Sequence, residues 1–190
     1  MSSRAVGCVV YSQICFAIFI GVCVAVHPGL VLKWNEGGMS NYGVHIKTAV
    51  PYTLALGLAG LLSHRAAVLM ARVGEPPHPL VHVLRTYSWL ITLVLLSTYA
   101  YTLNSVLKDV HIVIGIAITL FEFAASLWMY RYLGGFARDL TLIVVQLVGF
   151  TLATLTFVGV LHVLFSSQIL TGASFALLLV RSARTVVVGT

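Results

Sequence analysis

An all-α, polytopic membrane protein of six transmembrane helices, with both termini cytoplasmic, is the fold class the sequence predicts. Three observations carry that expectation. The chain of 190 residues is 59% hydrophobic and only 8% charged, whereas soluble domains average roughly a quarter charged. Apolar stretches long enough to cross a hydrocarbon core of about 30 Å, at about 1.5 Å per helical residue, recur along its length. Its basic residues divide unequally between alternate connections, which is the signature of a fixed membrane orientation.

The first span, residues 5–26, follows Arg4, and its exit CVAVHPGL lacks a small-x-small cleavage pattern, so it reads as a permanent helix rather than a signal peptide. It holds all three cysteines, Cys8, Cys15 and Cys23. A single helix cannot pair them with one another, so no intrachain disulfide is expected, and Cys8 is a candidate for palmitoylation. Residues 27–51 make the longest polar connection. Gly37-Gly38 and Asn41-Tyr42-Gly43 are turn chemistry, and Trp34 and Tyr42 suit a headgroup boundary, so a structured interfacial loop on the outer side is expected.

The second span covers residues 52–70, with Gly57 and Gly60 offering a close-approach surface to a neighbouring helix. A proline- and arginine-bearing connection leads to the third span, residues 87–105. The tight turn 106–110, with Lys108 and Asp109, then returns the chain as the fourth span, an antiparallel hairpin partner. Residues 131–139 form the next cytoplasmic turn and residues 140–164 the fifth span. Ser166-Ser167-Gln168 is expected to break it, leaving a short sixth helix, residues 169–180, extended by snorkelling Arg181 and Arg184. On this scheme every arginine (Arg4, Arg65, Arg72, Arg85, Arg131, Arg138, Arg181, Arg184) is inside, and Lys33, Lys47 and Lys108 are outside. Residues 1–190 read as one helix-bundle domain without internal repeats. The net charge of +6 is unclustered, so it marks orientation and not a nucleic-acid surface.

Within the fourth span, His111, Gly115, Thr119, Glu122 and Ser126 fall in one narrow arc at 100° per residue, making a polar seam on an apolar helix. A carboxyl group at membrane depth costs several kcal/mol unless it faces protein or water, so the seam should face neighbouring helices. Glu122 lies about 12 Å from the inner end of its helix, and Gln146 and Gln13 lie at similar depths on theirs. If the three meet, Glu122 is either a latch hydrogen-bonded by amides or, if hydrated, a proton or cation site. A lone carboxyl is poor catalytic equipment, and no catalytic residue is expected.

Among the histidines, only His111 and His162 approach the placement a bis-histidine haem needs, and His78 and His82 lack the further ligands of a zinc set, so neither cofactor nor metal is expected. In the outer loop, Asn35, Glu36, Ser40, Asn41 and Tyr42, flanked by Lys33 and Lys47, could bind a lipid headgroup or another subunit. The candidate ligand- or partner-binding residues are therefore these five with Thr119, Glu122 and Gln146.

The outer-loop segment GMSNYGVHIKTAVPYTLALGLAGL, together with six helices and internal termini, resembles small six-helix bacterial membrane proteins that are distantly similar to DRAM-type proteins. Ser40, Tyr42 and Gly43 match a Ser-x-Tyr/Leu-Gly element before the second helix in that group. The chain more loosely resembles small accessory subunits of Mce-type envelope lipid importers. The resemblance implies no catalytic residues and a non-enzymatic role in lipid handling or complex assembly in a bacterial plasma membrane. The expected function is an accessory subunit packing against a larger membrane complex, a lipid-transporter permease in particular. The alternative is a stand-alone binder of membrane lipids or of a quinone-type ligand.

Overall fold

The computed structural model describes residues 3–33, 38–72, 78–133 and 137–188, which form eight helices and, among these residues, no strand. Six helices are long and apolar enough to cross a membrane: α1 (Ser3–Val26), α4 (Ala49–Ala71), α5 (Leu80–Ala100), α6 (Ser105–Tyr132), α7 (Ala137–Phe157) and α8 (Leu164–Val188). The chain is a multi-pass, all-helical membrane protein. Two single-turn helices, α2 (Gly29–Lys33) and α3 (Ser40–Val44), lie in the connection between α1 and α4.

In lipid there is little hydrophobic gain in bringing apolar helices together, so close backbone approach and interhelical hydrogen bonds must do it. The most extensive packing is α1 on α4. Ala55, Ala59, Ser63 and Ala67 recur every four residues on α4 and are fully buried, as are Ala5, Val9 and Ser12 on α1. The Ser63 hydroxyl donates to Ser12 Oγ at 3.4 Å across this seam. On the α5 side of α4, Ser88 donates to the Gly60 carbonyl at 2.9 Å, and a Cβ on Gly60 would already meet Thr92 and Ile91. Gly57 does not share this role, because a Cβ there would have no neighbour within 4 Å.

The second close seam is α7 on α8. A Cβ on Gly149 would sit 2.9 Å from the Ser167 carbonyl and 2.6 Å from Thr171 Oγ1. At the arginine-bearing end, Arg181 Nη1 donates to the Asp139 carboxylate at 2.8 Å and ties the start of α7 to the last turns of α8.

Helix ends depart from expectation where a capping residue overrides hydropathy. α5 begins at Leu80 and not at residue 87: Pro79 has a helix-compatible φ of −55°, and His78 Nδ1 accepts the otherwise unpaired Leu80 N–H at 3.1 Å. Burial holds the His78 imidazole below its ordinary pKa, which keeps that acceptor available. Residues 106–110 are not a turn. Asn104, extended at φ −162°, accepts the Leu107 N–H on its side chain at 2.9 Å and starts α6 at Ser105. α7 ends at Phe157, before the expected residue 164, with Gly159 at φ +77° just beyond it. Ser166-Ser167-Gln168 does not break a helix but lies in the first turns of α8, where the Ser167 hydroxyl donates to the Leu164 carbonyl at 2.7 Å. Helix α8 is thus 25 residues long, and the short helix expected there is corrected to a full-length one.

Candidate ligand site

The polar seam of α6 faces a cavity of about 790 Å³ bounded by α1, α4, α5, α6 and α8. Its size falls within the range of small-molecule and cofactor sites. His111, Gly115, Thr119 and Glu122 all line it, while Ser126, the last seam residue, is fully buried beyond it. From His111 to Glu122 the seam runs about 16 Å along the helix axis. The remaining wall is mainly aliphatic and aromatic, and no described lining residue is a lysine or arginine.

The two ends of the seam differ in how far the protein satisfies its polar groups. At the His111 end, Nε2 shares a hydrogen bond with Ser40 Oγ of α3 and Nδ1 with Ser97 Oγ of α5, each at 2.8 Å. Gln168 of α8 also lines this end, and its Oε1 accepts the Met39 N–H at 2.7 Å. Tyr101 stacks on the His111 ring and donates to Asn41 Oδ1 at 3.2 Å. The α3 segment is thereby held as a cap over the cavity.

At the other end, Glu122 is 8% exposed, and among the described residues no hydrogen bond reaches its carboxyl group. The buried Tyr87 phenol of α5 is its electrostatic neighbour, and Gln13 of α1 is in turn the hydrogen-bonding neighbour of Tyr87. All three side chains line the cavity. Gln13 Nε2 also donates to Ser12 Oγ at 3.0 Å.

Three cavity-lining glycines, Gly21, Gly115 and Gly172, would each carry a Cβ with no neighbour within 4 Å, so they widen a space and do not bring helices together. Ile14, Ala17 and Gly21 on α1, and Ile169, Ala173 and Leu177 on α8, line the cavity and are exposed. Leu177 is 57% exposed. Both sets repeat at helical spacing, so they mark a lateral mouth between α1 and α8 on the lipid-facing side.

The expected meeting of Glu122, Gln13 and Gln146 is only partly realised. Gln13 and Glu122 share the cavity, but Gln146 is fully buried in α7 on the face of Gly149, and neither of its amide atoms has a partner among the described residues. The amide latch is therefore absent. Thr119 lines the cavity but spends its hydroxyl proton on the Gly115 carbonyl at 2.9 Å. Ser40 and Asn41 serve as cap ties. Tyr42 is buried under the cap with its hydroxyl directed at the His27 carbonyl at 3.4 Å, and burial, with a smaller contribution from Cys23, pushes its phenol pKa up. Asn35 and Glu36 lie outside the described residues.

Both His111 nitrogens are occupied by hydroxyls, and His162 sits exposed in the α7–α8 connection. Among the described residues, no three His, Cys, Asp or Glu side chains cluster as metal ligands. Sequence reasoning missed Tyr87, placing it at the start of a span; had Pro79 been read as the residue before the first helical turn, Tyr87 would have fallen two turns inside. No protein-family model, curated protein or solved structure gives a significant match to the chain.

Proposed function

We propose that the protein is a non-enzymatic, membrane-embedded binder of one amphipathic lipid- or quinone-type molecule. The observation that carries this reading is the cavity of about 790 Å³ whose apolar walls enclose an acid without a hydrogen-bonding partner among the described residues. Ligand sites are typically of this kind, apolar clefts with a few convergent polar groups. The empty-walled glycines support the same reading, since their positions add volume and no packing. By the positive-inside rule the arginine-bearing ends and both termini lie in the cytoplasm and the α3 cap faces outward, as in a bacterial plasma membrane. Gentle extraction followed by mass analysis tests the reading: a molecule retained by the wild-type protein should be lost in Gly172→Leu. Wild-type protein that carries nothing and binds no added lipid or quinone would overturn it.

A second reading, an accessory subunit of a larger complex such as an envelope lipid transporter, is favoured by one feature. Only 17% of the apolar window of α6 and of α7 is buried within the chain, against 44% for α4. These two helices leave the broadest surface for another integral subunit. A stable higher-mass assembly in native mass analysis supports this reading, and a monomer with full ligand occupancy counts against it.

A further inference from the structure

The cavity could hold a ligand's polar group at either end, and the hydrogen bonding decides between them. At the cap, the protein itself pairs both His111 nitrogens and Gln168 Oε1. At the inner end, the Glu122 carboxyl lines the cavity more than nine-tenths buried, and no described residue hydrogen-bonds to it. A polar group so placed is costly until something pairs it.

The chemistry around Glu122 also restricts what that partner is. Tyr87 contributes a phenolic O–H. The Gln13 amide gives one N–H to Ser12 and is the hydrogen-bonding neighbour of Tyr87, so it positions the phenol. The Glu122 carboxyl, when it carries its proton, adds another O–H. The two O–H groups line the same end of the cavity and suit an acceptor. A phosphate group is disfavoured, because among the described residues the cavity lining contains no lysine or arginine to offset its charge and an acid stands beside it.

Resting on the ligand-binding reading above, we infer that the occupant is a neutral, lipid-soluble molecule with a carbonyl-bearing head, of the quinone class, and that its carbonyl seats against Glu122 and Tyr87. The aliphatic tail then lies along the wall past Gly115. From Phe165 to Val180 the α8 wall extends about 22 Å, which accommodates several isoprene units before the tail leaves by the α1–α8 mouth.

The test is equilibrium binding of radiolabelled decylubiquinone to the full chain in phosphatidylcholine nanodiscs. Saturable binding is expected, with Glu122→Leu and Tyr87→Phe each weakening it about ten-fold, and Glu122→Gln, which keeps an N–H donor, staying within about three-fold. Excess lysophosphatidate should not displace the probe. Gly115→Leu should abolish binding by filling the tail channel. If Glu122→Leu and Tyr87→Phe bind as wild type while Gly115→Leu does not, the head-group assignment falls and the cavity reading stands. Displacement by lysophosphatidate, or absence of saturable decylubiquinone binding in a protein that retains another lipid, overturns the quinone class alone. No effect of Gly115→Leu on any occupant overturns both. Normal thermal unfolding of Glu122→Gln and Tyr87→Phe in the same discs guards against loss of fold.

Discussion

His111 on α6 and Ser40 on α3 share a hydrogen bond of 2.8 Å, and the same imidazole holds Ser97 on α5 at the same distance. One side chain thus joins two spans and the cap that covers the cavity. α3 has a single turn of helix, so its position depends on such ties, among them Gln168 to Met39, Tyr101 to Asn41 and the Thr48 hydroxyl to the Tyr42 carbonyl at 2.8 Å. His111→Phe keeps a ring for Tyr101 to stack on but removes both hydrogen bonds. We expect it to cost about 1–2 kcal/mol and to speed amide exchange across residues 38–44 more than in α4 or α5. Uniform exchange across the bundle would show that the cap is held by other contacts.

Gly149 sets the spacing of α7 and α8. A Cβ there meets the Ser167 carbonyl, which is backbone and cannot rotate away. Gly149→Ala should therefore destabilise by about 1–3 kcal/mol through helix separation. Gly57→Ala is the control, since a methyl group there meets nothing, and it should be neutral or slightly stabilising. Thermal unfolding in one detergent compares them, and equal midpoints for the two variants would contradict this assignment.

Much of this architecture was legible because membrane depth constrains sequence severely. The six spans followed from hydropathy, and the arc His111–Gly115–Thr119–Glu122 followed from helical angle alone, since a carboxyl group in lipid must turn inward. Helix ends were less legible because they depend on single capping residues. Asn104 and Pro79 start helices in stretches that hydropathy reads as turn or connection, and Gly159 ends α7 within an apolar run. Gln146 shows a different limit. Depth along a helix says how far in a residue lies, but not which way its face turns, and α7 turns that face away from the cavity. The small-residue stripe Ala55–Ala59–Ser63–Ala67 was visible at a spacing of four, yet the glycines beside it drew attention to Gly57, which packs against nothing.

The salt bridge between Asp139 and Arg181 closes the arginine-bearing end of the α7–α8 pair at 2.8 Å. Asp139 is buried and Arg181 is partly exposed, so the pair is screened less than a surface one and desolvated less than a core one. Asp139→Asn should lower stability by about 1–2 kcal/mol without altering ligand binding, because neither partner of the pair lines the cavity. A binding defect larger than the stability defect would mean that the α7–α8 junction couples to the site.

Ala173 lies on the exposed stripe of α8 that also lines the cavity, between Ile169 and Leu177. A bulky ring there narrows the α1–α8 mouth without touching Glu122 or Tyr87. Ala173→Trp is expected to slow uptake and release of a bilayer-dissolved ligand together, by about ten-fold or more, while leaving the equilibrium affinity near wild type. Stopped-flow mixing of ligand-loaded vesicles with protein-containing ones reads both rates. Unchanged rates would place the access route elsewhere, at the α3 cap.

Glu122 itself gives the sharpest contrast between a structural and a binding role. An amide latch would make Glu122→Leu destabilising, by on the order of 1–2 kcal/mol for one lost interhelical hydrogen bond. The structure has no such bond among the described residues, and the carboxyl group sits more than nine-tenths buried beside apolar walls. Removing it relieves a desolvation cost and breaks no hydrogen bond to a described residue. Glu122→Leu should therefore stabilise the ligand-free protein, by on the order of 1 kcal/mol, while weakening the ligand-bound one relative to wild type. Thermal unfolding in detergent with and without decylubiquinone separates the two effects. The wild-type midpoint should rise with added ligand and that of Glu122→Leu should start higher and stay flat. A midpoint for ligand-free Glu122→Leu below that of wild type would reinstate the latch and require a partner for Glu122 beyond the described residues.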